Sequence, residues 1–248
     1  MEKYVLYRED AFQKIKEIKS WSIDLVITDP PYGVNFQSAW YNDSKEYIFP
    51  KLDIMFGELK RILKFGSHVY VFIPTLEAEK WISVAKKYLY FNNILATKAL
   101  KTNCSKKNNN YGHNLQLVMY CSKSQPKDLN HVNWIKTSKS WLNDPRNKYP
   151  KEYTYKYPNY IPDYIRSTAF DSKFHPNEKN IKFLSYLVRL SSHEWEIILD
   201  PFMWSGTTWL ASLYLNRKFI GIEQNEKYFE IAKQRLSNLK LNTQNEAQ

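Results

Sequence analysis

Two hydrophobic periods alternate along this chain. Ile23, Leu25, Val26 and Ile27 form a short, almost continuous apolar run that stops at Pro30 and Pro31, residues that extend neither a sheet ladder nor a helix. The run predicts a buried strand. Shorter or similar runs at 5–7, 68–73, 92–97, 196–199 and 218–223 predict further strands. Between them the period changes to that of a helix. Leu52, Met55, Phe56, Leu59, Ile62 and Leu63 recur at helical spacing, predicting an amphipathic helix over 50–64 that Gly66 ends. Helices are also expected at 11–18, 77–88, 178–190, 207–215 and 225–238. Residues 113–121 alternate and predict a strand near a sheet edge. Residues 33–49 read as a polar, aromatic loop, 122–172 show no period, and the polar tail from Leu239 reads as frayed. Strands alternating with helices predict an α/β fold with a mostly parallel, doubly wound sheet.

Chemistry concentrates where two of these strands end. Asp29-Pro30-Pro31-Tyr32 holds an acid on stiff backbone with an aromatic ring three residues later. That set suits an exocyclic amino group on a flat ring: the carboxylate accepts one N–H, a rigid carbonyl accepts the other, and the ring stacks on the face. The plainer reading is a Pro-Pro turn capped by its Asp. A second constellation starts at Asp200, after the strand at 196–199. A small-residue turn, a helix start and a further strand follow, and Glu223 ends that strand 23 residues after Asp200. Strand, turn, helix and acid-terminated strand is the arrangement that places a nucleoside at a helix N-terminus and its ribose hydroxyls on the acid. A core-only βαβ unit is the plainer reading here. The two motifs together are far more specific than either alone.

At these residues the chain resembles the β class of amino-group DNA methyltransferases, over most of its length outside a central insert. Asp29-Pro30-Pro31-Tyr32 matches the family's catalytic motif, and the stretch Asp200, Pro201, Phe202, Met203, Trp204, Ser205, Gly206, Thr207 and Thr208 its S-adenosylmethionine motif. Glu223 falls at the ribose-binding acid. Asp10 and Ala11 lie in a segment similar to the one whose acid sits near the cofactor adenine. His175, Pro176, Asn177 and Lys179 lie in a segment similar to the one that closes over the methionine end. The resemblance implies a Rossmann-like S-adenosylmethionine-dependent methyltransferase fold: a catalytic half at 1–121, a target-recognition insert at 122–172 and a cofactor-binding half at 173–248.

Three positions depart from the family pattern. Trp204 stands where the family has glycine, which tolerates positive φ and close ligand approach, so this departure bears on cofactor affinity. Asn177 and Asn180 replace the threonine and final proline of the closing segment, and Thr97-Lys98 occupies the place of a common Trp-x-Lys.

Charge sharpens the picture because of where it lies. Residues 1–97 hold 13 Lys/Arg against 12 Asp/Glu, and 183–248 hold 7 against 7, whereas 98–182 hold 16 against 6. Nearly all of the +11 net charge therefore belongs to one middle segment, the footprint expected for a polyanion. Within it Lys148, Lys151, Lys156 and Arg166 interleave with tyrosines, a composition that neutralises phosphates and stacks on bases. The plainer reading is a loop whose tyrosines fill a small local core. The two cysteines, Cys104 and Cys121, match no metal-ligand spacing and no metal is expected. With no long apolar stretch and no leader-like start, a cytoplasmic protein without a membrane span is expected.

The resemblance implies methyl transfer from S-adenosylmethionine to N6 of an adenine flipped out of double-stranded DNA, since the family's adenine enzymes usually carry Asp at the first motif position. Cytosine N4 stays open, as does a DNA-binding protein that has lost catalysis through Trp204. Methylation of a small-molecule or protein amine would leave the basic insert without a purpose. Possible partners are a cognate restriction endonuclease and, if the chain is not a monomer, a second copy.

Overall fold

The computed structural model describes residues 3–34, 42–98, 115–125, 164–165 and 179–245. Among these residues eight strands form one sheet: β1 (Tyr4–Tyr7), β2 (Ile23–Thr28), β3 (Leu63–Ile73), β4 (Tyr90–Lys98), β5 (Leu115–Ser122), β6 (Tyr164–Ile165), β7 (Ile197–Asp200) and β8 (Lys218–Ile222), in the order β1-β8-β7-β2-β3-β5-β4-β6. Every pairing is parallel except those of β5, which runs against both β3 and β4. Helices α1 (Ala11–Lys14), α2 (Lys45–Ile62), α3 (Ala78–Ala85), α4 (Ile181–Ser191), α5 (Thr207–Tyr214) and α6 (Glu226–Asn245) cover the two faces. No helix among the described residues is long and apolar enough to cross a membrane.

All six residues of β2 are buried, as a strand covered on both faces requires. Successive residues of β3 feed opposite cores: Val69, Val71 and Ile73 pack with α1, α2 and α3, while Tyr70 and Phe72 pack with α4, α5 and α6. The helix after β2 thus lies on one face and the helix after β7 on the other, although β2 and β7 are neighbours. That reversal opens a crevice at the carboxyl ends of β2 and β7.

Three local expectations change. The helix expected from residue 50 begins at Lys45, because Ser44 accepts a hydrogen bond from the Tyr47 N–H and caps it, and Pro50 sits inside it at the cost of one bond to the Glu46 carbonyl. Gly66 is not a helix stop: α2 runs directly into β3, and Gly66 (φ +78°) lies where the β2–β3 register shifts. Finally, β5 is paired along both edges and buries residues on both faces, Val118 and Ser122 on one and Met119 and Cys121 on the other.

Candidate active site

Because β1, β8, β7 and β2 are consecutive and parallel, their carboxyl ends share one rim. Asp10, Glu223, Asp200 and Asp29 follow these strands, so the topology alone puts all four acids in a row. Asp10 plays a local part as well: its Oδ1 accepts from the Gln13 N–H at 3.1 Å and caps α1. Two adjoining clefts lie along the rim. The first, about 460 Å³ including its open mouth, is lined by Asp10, Ala11, Phe202, Trp204 and Glu223, with Pro31 and Tyr47 from the other side. The second, about 340 Å³, is lined by Asp29, Lys179, Asp200, Met203, Ser205, Thr207 and Thr208, with Phe202 and Trp204 shared.

Among the described residues, the carboxylate of Asp29 is held by side chains. Tyr32 donates its hydroxyl to Oδ1 at 2.6 Å, and the Lys179 ammonium lies 2.7 Å from Oδ2. Gln116 of β5 donates to the Tyr32 oxygen at 3.0 Å and accepts from Lys179 at 3.4 Å, while Lys179 also lies over the Phe72 ring. The Tyr32 ring meets Trp81 edge-on. Pro30 and Pro31 are buried beneath. Beyond Tyr32, the chain is pinned by buried Asp43, which accepts from the N–H groups of Gly33 (2.8 Å) and Val34 (3.3 Å).

On the other side the acids are held largely by backbone, with the Thr208 side chain also bonded to Asp200. Asp200 accepts from the Phe202 N–H at 3.1 Å, and Glu223 from the N–H groups of Trp204 (2.9 Å) and Asn225 (2.7 Å). Burial pushes the Asp200 carboxyl up to about 7 against the hydrogen bonds from Thr208 and Phe202, with the nearby Asp29 charge adding to the rise. Burial likewise lifts Glu223 to about 7, opposed by its two backbone donors and assisted by Asp200.

The turn between them is tightly built. Gly206 adopts φ +80°, and a Cβ there would lie 3.0 Å from Ala232 Cβ and 3.3 Å from the Trp209 ring, so this glycine is needed for both conformation and space. Arg235 of α6 donates from behind to the Ser205 carbonyl (2.8 Å), the Ser205 hydroxyl (3.0 Å) and the Thr207 hydroxyl (3.3 Å). Trp204, the departure from glycine, also adopts positive φ (+48°), so the turn keeps the left-handed residue that glycine supplies more cheaply. Its indole N–H donates to the Asp29 carbonyl at 2.7 Å, and its ring packs edge-on against Tyr228.

Of the residues singled out from sequence, Asp10, Ala11, Asp29, Pro30, Pro31, Tyr32, Lys179, Asp200, Phe202, Met203, Trp204, Ser205, Gly206, Thr207, Thr208 and Glu223 converge on this rim. Lys179 sits on Asp29, a contact that nothing in its segment signalled. His175, Pro176, Asn177, Lys148, Lys151, Lys156 and Arg166 lie outside the described residues. Sequence reasoning missed Asp43, Phe72, Gln116 and Arg235. Among the described residues no group of three or more His, Cys, Asp or Glu side chains could hold a metal.

The family model described as DNA methylase matches residues 23–234. Among curated relatives, the DNA adenine methyltransferase YhdJ of Escherichia coli (strain K12) is 28% identical, covering 92% of this chain and 80% of its own. The type II methyltransferase M.HpaI of Haemophilus parainfluenzae is also 28% identical, covering 92% and 72%. Among solved structures, the M1.HpyAVI–SAM complex superposes with TM-score 0.66 at 21% identity over 94% of this chain and 98% of the other. The cytosine-N4-specific PvuII DNA methyltransferase does so with TM-score 0.69 at 13% identity over 94% and 86%. With the fold, the rim of acids and a match over most of its length in agreement, the chain belongs to the N6/N4 amino-group DNA methylase family.

Proposed function

We propose that this DNA methyltransferase transfers a methyl group from S-adenosylmethionine to N6 of an adenine flipped out of double-stranded DNA. The observation that carries this reading is the shared rim: Asp29 and Glu223 open on the same side of the sheet, and Trp204 lines the clefts of both. The adenine assignment rests on Asp at the first motif position and on the YhdJ likeness.

The residues present fit the cofactor. Two buried carboxyls near pH 7 beside a cleft are poised to ionise next to a cation or to accept from ribose hydroxyls, and the turn at Gly206 leaves room for no side chain. Glu223 would hold the ribose, Asp10 and Ala11 would face the adenine, and Asp200 with Ser205, Thr207 and Thr208 would face the methionine end. His175, Pro176 and Asn177 would close over that end. When bound, the cofactor supplies a methyl group on a positively charged sulfonium, already a good leaving system.

The demanding partner is the nucleophile, because an aromatic amine's lone pair is delocalised into its ring. Asp29 accepts one amino N–H in exchange for one of its present donors, and a backbone carbonyl at Pro30 accepts the other, which localises the lone pair. The negative charge of Asp29 then stabilises the positive amine as the new bond forms, without removing a proton first. Tyr32 stacks on the extruded base and offsets part of the unstacking cost of a few kcal/mol. Lys148, Lys151, Lys156 and Arg166 of the basic insert would contact phosphates. The type II relatives suggest a cognate restriction endonuclease as a partner in the same system.

Tritium transfer from labelled cofactor to unmodified DNA, followed by nucleoside analysis, tests the reading. N6-methyladenine is expected. N4-methylcytosine would move the target base within the same chemistry, and no transfer at all would overturn it. Replacing Lys148, Lys151 and Lys156 by Glu should weaken DNA binding by at least about tenfold and flatten its salt dependence, measured by titration at several salt concentrations.

A further inference from the structure

Trp204 is the one position of the cofactor turn where this chain breaks the family pattern, and the structure gives the break a use. Its backbone N–H donates to Glu223 and its indole N–H donates to the Asp29 carbonyl, so one residue touches the acids at the ends of β8 and β2. The second contact falls on a peptide of special character. The bond from Asp29 to Pro30 carries no N–H, so its carbonyl is the only handle by which a neighbour can fix it. A donor 2.7 Å from that carbonyl orients the peptide plane and, through it, the direction in which the Asp29 carboxylate leaves the backbone.

The geometry points to Trp204 as a positioning residue for methyl transfer: its indole N–H aims Asp29 from the cofactor turn. This rests on the methyltransferase reading above. A left-handed non-glycine residue carries a backbone cost, and a hydrogen bond that glycine lacks offsets it. The clefts on either side share the ring as a wall, so whatever orders the turn also orders Asp29. A glycine at 204 would leave this coupling to backbone alone.

Trp204→Phe keeps an aromatic wall and removes only the donor. In single-turnover transfer to unmodified DNA at saturating cofactor, its rate should fall about tenfold, while the calorimetric dissociation constant for S-adenosylmethionine stays within about twofold. Trp204→Gly, freed of backbone strain, should show the same rate loss, so a defect of the Phe variant cannot be ascribed to misfolding alone. A readout independent of activity is the indole N–H signal that Trp204→Phe deletes from the nitrogen–proton spectrum, which should show slowed solvent exchange in the free wild-type protein. Rates equal to wild type in both variants, cofactor affinity falling in step with rate, or an unprotected indole proton would each overturn the assignment. Inactivity of the wild type would instead strike at the underlying methyltransferase reading.

Discussion

The acids along the rim are held in opposite ways. Asp29 is partly exposed and its carboxylate rests on two long side chains, Tyr32 and Lys179, that approach from different parts of the chain. Asp200 and Glu223 are buried and rest largely on backbone N–H groups of the two turns that follow β7 and β8. Side-chain donors can leave and be replaced; backbone donors built into these two turns cannot, short of unfolding them. The first arrangement suits a group that must exchange its partners for a substrate's amino N–H in each cycle. The second suits a cradle that must present the same shape every time.

The harshest test of this contrast removes the exchangeable acid. Asp29→Asn keeps the size and loses the charge, and methyl transfer should fall by about a hundred- to a thousandfold, the scale seen when a charge-stabilising group is lost. DNA and cofactor binding, followed by titration, should persist because the cradle does not depend on this carboxylate. Retained turnover would take Asp29 out of the chemistry.

The cradle should instead announce itself through pH. Glu223 and Asp200 have folded-state values raised to about 7, so protonation is favoured in the free protein, and the stability this contributes is present below about pH 4 and lost as pH rises through 7. Holding ribose hydroxyls or a cation calls for the ionised forms. Cofactor binding should therefore weaken about tenfold from pH 8 to pH 6 for each carboxyl that must ionise, with protons released on binding near pH 7. Titration calorimetry in two buffers of different ionisation heat measures both. Glu223→Gln should weaken binding at pH 8 and flatten the profile, and a wild-type profile already flat would mean that neither acid meets the cofactor.

Much of this site could be read in the chain before any fold was drawn, and what could not be read is of one kind. Strand β2 was legible because burial on both faces demands an unbroken apolar run, and Asp29 because two prolines must follow a strand's end. Glu223 was legible through its spacing from Asp200. Those signals are local. The start of α2 was hidden by Pro50, which argues against a helix until Ser44 is seen capping it one turn earlier. Gly66 has the same local appearance as a helix stop and as a bulge. The contacts of Lys179, Gln116, Asp43 and Arg235 link residues from ten to over a hundred positions apart, and no period encodes them. Trp204 was visible as a departure, but its partner was not, because an indole's reach across two strand ends is set only by the folded rim.

Lys179 probes the exchangeable side more gently. Its ammonium donates to Asp29, where on the proposed mechanism a target amino group also donates, so the two would compete. Lys179→Met should lower the KM for DNA about fivefold in steady-state assays, the effect of removing a mostly buried ion pair worth about 1 kcal/mol net of its desolvation. A collapse of kcat without any fall in KM would instead place the ammonium among the groups the reaction needs.

The smallest effect is expected on the cradle's far side. Arg235 lines neither of the two rim clefts, yet its guanidinium ties the Ser205 carbonyl and the Ser205 and Thr207 hydroxyls to α6. In Arg235→Met the apolar stem of the side chain is retained while these donors vanish, at a cost of about 1–2 kcal/mol, or a lowering of Tm by about 2–8 °C in a chain of this size. If the cradle works by rigidity, cofactor affinity should fall a few-fold in the same variant while the transfer rate at saturating cofactor holds, because nothing on the Asp29 side has changed. A rate that falls with affinity unchanged would reverse the contrast, making the turn behind Ser205 part of what aims the acid of β2 rather than part of a separate, stiff receptacle.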